Sequence, residues 1–337
     1  MRVSLKTQDA GTGYANEELM TARNRARAWT RGWVVTGLAL ILSSGCSMKT
    51  MALNSLADTL AELATVYASD EDPELVRDAF PFSLMTAETL LQSSPRHRGL
   101  LLSACSGFTG YANLFLQTDA DLVEWEDYEA AVELRDRALR MYVRARDYCL
   151  RRLELDYPGV TDRLMLEPEA APAPMTVEDV PVLYWLGASW GSAISLGLDK
   201  PELVIDLPAV RALMNRALEL DEDYSRGAIH EVLIVLEAVP EVMGGSPERA
   251  REHFARAVEL SDGNSAGPYV TLAESVSVAT QSRAEFERLL DEALQVDPNE
   301  EKSVRLLNLI AQKRARHLLA HIDELFVDPA EPQETLR

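Results

Sequence analysis

Several groups of residues in this 337-residue chain have types and spacings that could do chemistry. Gly187-Ala-Ser189-Trp-Gly191 has the form of a nucleophile elbow, which exposes a serine on a sharp strand-to-helix turn. The flanks, Val182-Leu-Tyr-Trp-Leu186 and Ser192-Ala-Ile-Ser-Leu196, carry no strand–turn–helix punctuation. The pattern therefore reads as a small-residue face where two helices approach closely. His230-Glu231 and His317-Leu-Leu-Ala-His321 offer imidazoles to a metal, and the latter pair lies one helical turn apart. A zinc-hydrolase helix needs Glu beside the first His, and Leu318 stands there, so a solvated helix face is the better reading. Asp221-Glu-Asp223 lacks the glycine and glutamate placement of a calcium loop. There is no Walker loop and no dinucleotide fingerprint. No catalytic residue, metal or cofactor is expected, and the chain reads as a non-enzyme.

The more informative constellation is aromatic. Tyr184, Trp185 and Trp190 fall with Gly187 and Ser189 inside two helical turns. Earlier, Phe108-Thr-Gly110-Tyr111-Ala-Asn113-Leu-Phe115 mixes aromatics with a mid-helix Asn and Gly. A mid-helix glycine costs about 1 kcal/mol relative to alanine, so close approach or open space must be required there. Aromatic stripes usually fill cores. The competing reading is a cavity wall in which Tyr111, Asn113, Tyr184, Trp185, Ser189 and Trp190 contact a small ligand.

Cysteine chemistry begins near the N-terminus. Arg23, Arg25, Arg27 and Arg31 precede the apolar run Trp33-Val-Val-Thr-Gly-Leu-Ala-Leu-Ile-Leu42, followed by Ser43-Ser44-Gly45-Cys46. This is a basic n-region, a short apolar h-region and a small-residue cleavage site. The run is shorter than the roughly 20 residues a membrane span needs. Cys46 after Gly45 resembles the lipobox of bacterial lipoproteins, in which the thiol is diacylated and becomes the anchored N-terminus. Ser43 departs from the more usual Leu, and an ordinary signal peptide or an uncleaved anchor are the alternatives. Ser47 in place of Asp favours the outer membrane of a Gram-negative cell. Residues 1–45 thus read as a signal peptide, with Met20 a candidate true start. Cys105 and Cys149 then remain, as a bridge or as two buried free thiols.

Composition bounds the rest. Lys and Arg total 33 against 54 Asp and Glu, for a net charge of −21. The first 45 residues hold six cations and three acids, net +3, leaving −24 for the remainder. Such an acidic chain is unsuited to phosphate backbones, so nucleic acid is excluded as a partner. The hydrophobic fraction of 47% excludes a wholly disordered chain.

Periodicity predicts helix after helix and no strand. Apolar residues at threes and fours mark 50–68, and Asp72-Pro73 starts a helix over 73–92 in which Pro81 should kink or break it. An unusually apolar helix is expected over 97–118. One long helix or two in succession follow over 119–156, with Tyr128, Val132, Leu134, Leu139, Tyr142 and Val143 as the apolar face. The Pro-rich stretch 160–180 is expected to be a loop. It separates N-terminal helical repeats, 46–159, from C-terminal repeats, 181–337, in one continuous array. Arg216-Ala-Leu-Glu-Leu220 recurs as Arg256-Ala-Val-Glu-Leu260 and more loosely as Glu292-Ala-Leu-Gln-Val296, at offsets of 40 and 36 residues. Arg152-Leu-Glu-Leu155 is a fainter echo. That spacing matches helix-turn-helix repeats, and the ends resemble the close of a tetratricopeptide repeat, Asp297-Pro298-Asn299 most of all. The expected fold is all-α, a tetratricopeptide-like array of helical hairpins stacked on one core.

An ordered set of stretches carries a wider resemblance. It comprises Asp72-Pro73-Glu-Leu-Val-Arg77, Gly107-Phe-Thr-Gly-Tyr111-Ala, Arg144-Ala-Arg-Asp147, Leu183-Tyr-Trp-Leu-Gly187, Gly227-Ala-Ile-His230-Glu231, Gly244-Gly245, His253-Phe254, Pro268-Tyr269-Val-Thr-Leu-Ala-Glu274 and Ile322-Asp-Glu-Leu-Phe326. Together, over nearly all of 50–327, they resemble the TatT component of tripartite ATP-independent periplasmic (TRAP) transporters. The resemblance implies a periplasmic lipoprotein of tetratricopeptide-like fold that works beside a TRAP-type solute-binding protein, with a central pore or cleft for ligand passage. The partners it implies are that solute-binding protein and a membrane reached through the lipid anchor; a homo-oligomer stays open. The alternative function is an outer-membrane assembly scaffold that binds only protein.

Overall fold

The computed structural model describes residues 63–327 together with Ser55 and Thr59, and every described element is helical. Cys46, the expected signal peptide over 1–45 and most of the helix expected over 50–68 lie outside the described residues; 63–69 is helical. By contacts the chain divides into Met1–Leu56 and Ala57–Arg337, and the fold below is that of the second unit.

Helix α1, Pro73–Ser93, starts as the sequence dictates: the Asp72 carboxylate accepts from the backbone N–H of Glu74 and Leu75, and Pro73 takes the first helical position. Pro81 does not end it, against expectation. The loss of one N–H is outweighed by the burial of Val76, Leu84, Ala87 and Leu91 on both sides of the proline. After the turn at Ser94, α2 (Arg98–Tyr111) runs without a break through a π-helical stretch, Ala112–Gln117, into α3 (Thr118–Val123). These 26 residues are long and apolar enough to cross a membrane, yet more than half of their most apolar 18-residue window is buried inside the protein. Here they are core. A tight turn then separates this helix from α4, Tyr128–Glu154, capped by Asp127. Of the predicted α4 face, Leu139 and Tyr142 are buried, while Tyr128 and Val132 are exposed. A Cys105–Cys149 disulfide, Cα to Cα 5.4 Å, staples α2 to α4.

The stretch 160–180 is not simply a loop. Gly159 adopts φ +78, which an L side chain resists, and lets the chain turn into a short helix α5, Val160–Leu166. The prolines that follow form turns, and their apolar residues Ala171 and Met175 are buried. The Met175 carbonyl accepts from the Arg216 guanidinium at 2.7 Å. The larger core cluster extends from Val76 to Ile310, on both sides of this segment.

A 3-10 turn, Val177–Asp179, leads into α6, Val180–Leu196. Then come α7 (Pro201–Val204), α8 (Leu207–Leu220), α9 (Ala228–Glu237), α10 (Pro247–Leu260), α11 (Gly267–Leu272), α12 (Arg283–Gln295), α13 (Arg305–Ala320) and α14 (Ile322–Leu325). The recurring sequence motifs fall at the ends of α8, α10 and α12, and the fainter one at the end of α4. A second π stretch, Ala273–Ser277, continues α11. Successive helices pack on one another, and α13 returns to touch α1 and α3. The Arg305 guanidinium donates to the Ser69 carbonyl at 3.4 Å and pairs with Glu71 at 3.6 Å. The helices therefore close on themselves instead of leaving two open ends.

Candidate functional site

Inside the closed array lies a cavity of about 630 Å³, in the range of small-molecule sites. Helices from both halves of the array contribute: Phe80 and Leu84 from α1, Ser106 and Gly110 from α2, Tyr184 and Trp185 from α6, Val232 and Val235 from α9, and Leu306 and Ile310 from α13. Gly107 has a local reason. A Cβ on Gly107 would press on Leu84 at 2.8 Å, so α2 approaches α1 closely there, whereas one on Gly110 would rest on the Phe80 ring at an ordinary contact distance of 3.7 Å.

One wall is aromatic. Tyr184 lies 5.0 Å from Trp185 and 5.3 Å from Tyr224, centroid to centroid. The Trp185 indole hydrogen-bonds the Tyr224 hydroxyl. Burial pushes the Tyr184 phenol well above its ordinary value, and the nearby Glu231 carboxylate adds to the shift. Glu231 itself lines the cavity and is pushed up by burial, against the effects of Thr271 and Arg314. It accepts from the Thr271 hydroxyl at 3.2 Å. Gly267 makes room for it, since a Cβ there would stand 2.5 Å from Glu231 Oε1.

A second polar group is placed by the first π stretch. A π turn shifts the following side chains around the helix and is often found at functional sites. Asn113 lies in it and lines the cavity; the Thr118 hydroxyl donates to the Asn113 carbonyl at 3.2 Å. Behind it, burial pushes the Tyr142 phenol up, and hydrogen bonds with Asn113 and Ser192 partly oppose this. The Tyr142 hydroxyl also donates to Gln117 Oε1 at 2.8 Å.

At the far end, Arg314 lines both this cavity and a smaller one of about 260 Å³, bounded also by Gln117, Trp125 and His317. Its guanidinium pairs with Glu274 at 2.6 Å and Asp121 at 3.4 Å. Asp121 is shared with Arg135, which also holds Glu124. Glu274 sits in the second π stretch. Burial pushes Asp121 and Glu274 above the ordinary carboxylate value, while Arg135 and Arg314 oppose the rise at Asp121. Burial also works against the Arg314 charge, but its two carboxylates outweigh it.

Of the six predicted wall residues, the structure brings Asn113, Tyr184 and Trp185 to the cavity. The other three are placed in packing. Tyr111 packs tilted between Phe80 and Phe115. Ser189 is fully buried, with its hydroxyl donating to the Leu186 carbonyl at 3.0 Å, which leaves no elbow geometry. The Trp190 indole donates to Asp206 at 3.2 Å beneath the Arg146 guanidinium. Tyr224, Glu231 and Arg314 were missed as wall residues; Glu231 shares helix 228–237 with His230 and Glu237, and nothing in the sequence sets it apart from them as cavity-facing.

The histidines form no metal centre among the described residues. The His317 and His321 rings meet tilted at 4.3 Å, and the His321 ring stacks on Trp125. His230 is not on a solvated face: it is buried, with Nδ1 2.9 Å from His253 Nδ1 and Nε2 3.2 Å from Glu222.

A family model described as TRAP transporter T-component matches residues 69–326. A relative from Treponema pallidum (strain Nichols), described as an uncharacterized protein, is 32% identical over 307 residues, which is 86% of this chain and 95% of that protein. The chain belongs to the T-component family of TRAP transporters, whose members are transporter accessory subunits and not a known enzyme family.

Proposed function

We propose that this member of the TRAP transporter T-component family docks a periplasmic solute-binding protein and receives its small-molecule cargo in the internal cavity. The observation that carries the reading is the cavity of about 630 Å³, lined by helices from both halves of the array, with α13 returning to α1 and α3. A protein-only scaffold needs a concave outer wall and gains nothing from an internal void, which forfeits packing energy. The smaller cavity beyond Arg314 supports passage along the axis of the array. The helix pairs ending at Leu220, Leu260 and Gln295 support a tetratricopeptide-like repeat origin.

In this reading Cys46 carries the lipid, the mature chain faces the periplasm, and the anchor lies in the outer membrane. The Cys105–Cys149 bridge supports an oxidising compartment, since structural disulfides persist there and seldom in the cytosol. The test is crosslinking in living cells, pull-down of the lipidated chain, and identification of co-purifying proteins by mass spectrometry. A periplasmic solute-binding protein should dominate. Membrane-assembly proteins without any solute receptor would leave the scaffold reading in its place, and recovery of the chain crosslinked to itself would report a homo-oligomer.

A further inference from the structure

The charges that line the cavity are not equivalent. Two cations reach it, Arg226 and Arg314. Both are already occupied. Arg226 pairs with Glu301 at 3.4 Å and Asp262 at 3.5 Å and donates to the Ser261 carbonyl. Arg314 pairs with Glu274 and Asp121. Each keeps a buried Nε–H without a partner, but its positive charge is already balanced by carboxylates. Glu231 is the opposite case. Its carboxylate accepts one hydrogen bond, from Thr271, and no described Lys, Arg or His lies at ion-pair distance from it. A desolvated carboxylate is costly unless a counter-charge completes it.

The groups next to it favour the same ligand chemistry. Tyr184, Trp185 and Tyr224 form a contiguous aromatic cluster on the same wall. The negative faces of aromatic rings attract cations, tryptophan and tyrosine most strongly. Apolar residues, Leu102, Val232 and Ile310 among them, line the remainder and suit a hydrocarbon body.

Resting on the cavity reading above, we propose that the cavity takes an organic cation, an amine with an apolar body, whose ammonium group sits between Glu231 and the Tyr184–Trp185–Tyr224 rings.

Three probes of equal length separate the class of ligand from the existence of a site: hexylammonium, hexanoate and hexanol. Each is titrated by calorimetry into the full chain in phosphatidylcholine nanodiscs, with empty discs subtracted. Hexylammonium should bind at least about tenfold more tightly than hexanoate, equivalent to ~1.4 kcal/mol, with hexanol between them. Glu231→Gln keeps the shape and the Thr271 hydrogen bond, and should bring hexylammonium down to the hexanol level while hexanol binding stays the same. Hexanoate binding as tightly as hexylammonium, or an ammonium preference that survives in E231Q, overturns the cationic class and leaves the cavity reading standing. If none of the three binds at millimolar concentration, the cavity reading falls and takes this proposal with it. The comparison within the wild-type chain holds even if E231Q proves unstable.

Discussion

His230 and His253 meet through their Nδ1 atoms at 2.9 Å, so one ring donates and the other accepts, and the accepting ring must be neutral. Burial pushes both below the ordinary histidine value. Glu222, held down to about 2 first by its bond to Arg256, stays ionised beside them. A folded-state value below the unfolded one means stability that is fully present above about pH 6.5 and is lost as pH falls through the lowered value. The half-buried Glu231, Glu274 and Asp121 are shifted upward and act in the opposite sense, so the difference between variants is the readout. Relative to wild type, His253→Gln should lower the melting temperature at pH 7.5 and flatten its decline between pH 6.5 and 5. An unchanged slope in H253Q would remove the imidazole pair as its source. At this scale the sequence was only partly legible. Spacing identifies Tyr111, Ser189 and Trp190 as inward-facing but does not distinguish a neighbouring helix from a void. Glu231 and Arg314 sit in amphipathic helices where a charge ordinarily signals solvent.

Helix starts and ends were easier to read than interiors. Asp72, Pro73 and the repeated Ala-Leu or Ala-Val endings mark boundaries because caps and turns are local chemistry. Pro81, the helix at 160–166 and the two π stretches were not foreseen, because tertiary burial decides them. The Gly187 and Gly191 pair shows what the small-residue pattern does in place of nucleophilic chemistry. A Cβ on Gly187 would overlap Met214 Sδ and crowd its Cγ, and one on Gly191 would rest on Val210, so α6 lies closely against α8. Two opposing magnitudes meet in Gly187→Ala. Helix propensity favours alanine by about 1 kcal/mol, whereas overpacking costs roughly 1–3 kcal/mol. Met214 is fully buried and has little room to yield, so overpacking should win. G187A should therefore lose about 1 kcal/mol by denaturant unfolding, an order-of-magnitude balance of the two effects. In a Met214→Ala background the overlap is gone, and the same substitution should become neutral or stabilising. Equal effects in both backgrounds would mean that the two helices do not meet at this pair.

Closure of the array depends on charges that join its distant ends. Asp121 lies in α3, Arg135 in α4, Glu274 in the second π stretch and Arg314 in α13, so one network ties the N-terminal helices to the C-terminal ones. The same guanidinium lines both cavities, which makes Arg314 a partition between them. Removing only the cation leaves Glu274 without its ion pair and Asp121 with Arg135 alone. Arg314→Met should then cost up to about 3 kcal/mol, the lower end of the penalty for breaking a buried ionic group, because these side chains are half-buried and Asp121 keeps Arg135. Neutralising the set, with Asp121→Asn and Glu274→Gln added to Arg314→Met, removes the stranded charges, and most of the loss should return. Chemical denaturation of the two variants gives the comparison. If the triple variant is no more stable than R314M, the guanidinium contributes packing instead of charge balance. Binding separates the two roles of the network. Once stability is restored, a changed rate of probe release from the larger cavity would follow from the missing partition alone. An unchanged rate would mean that the smaller cavity is no part of the path.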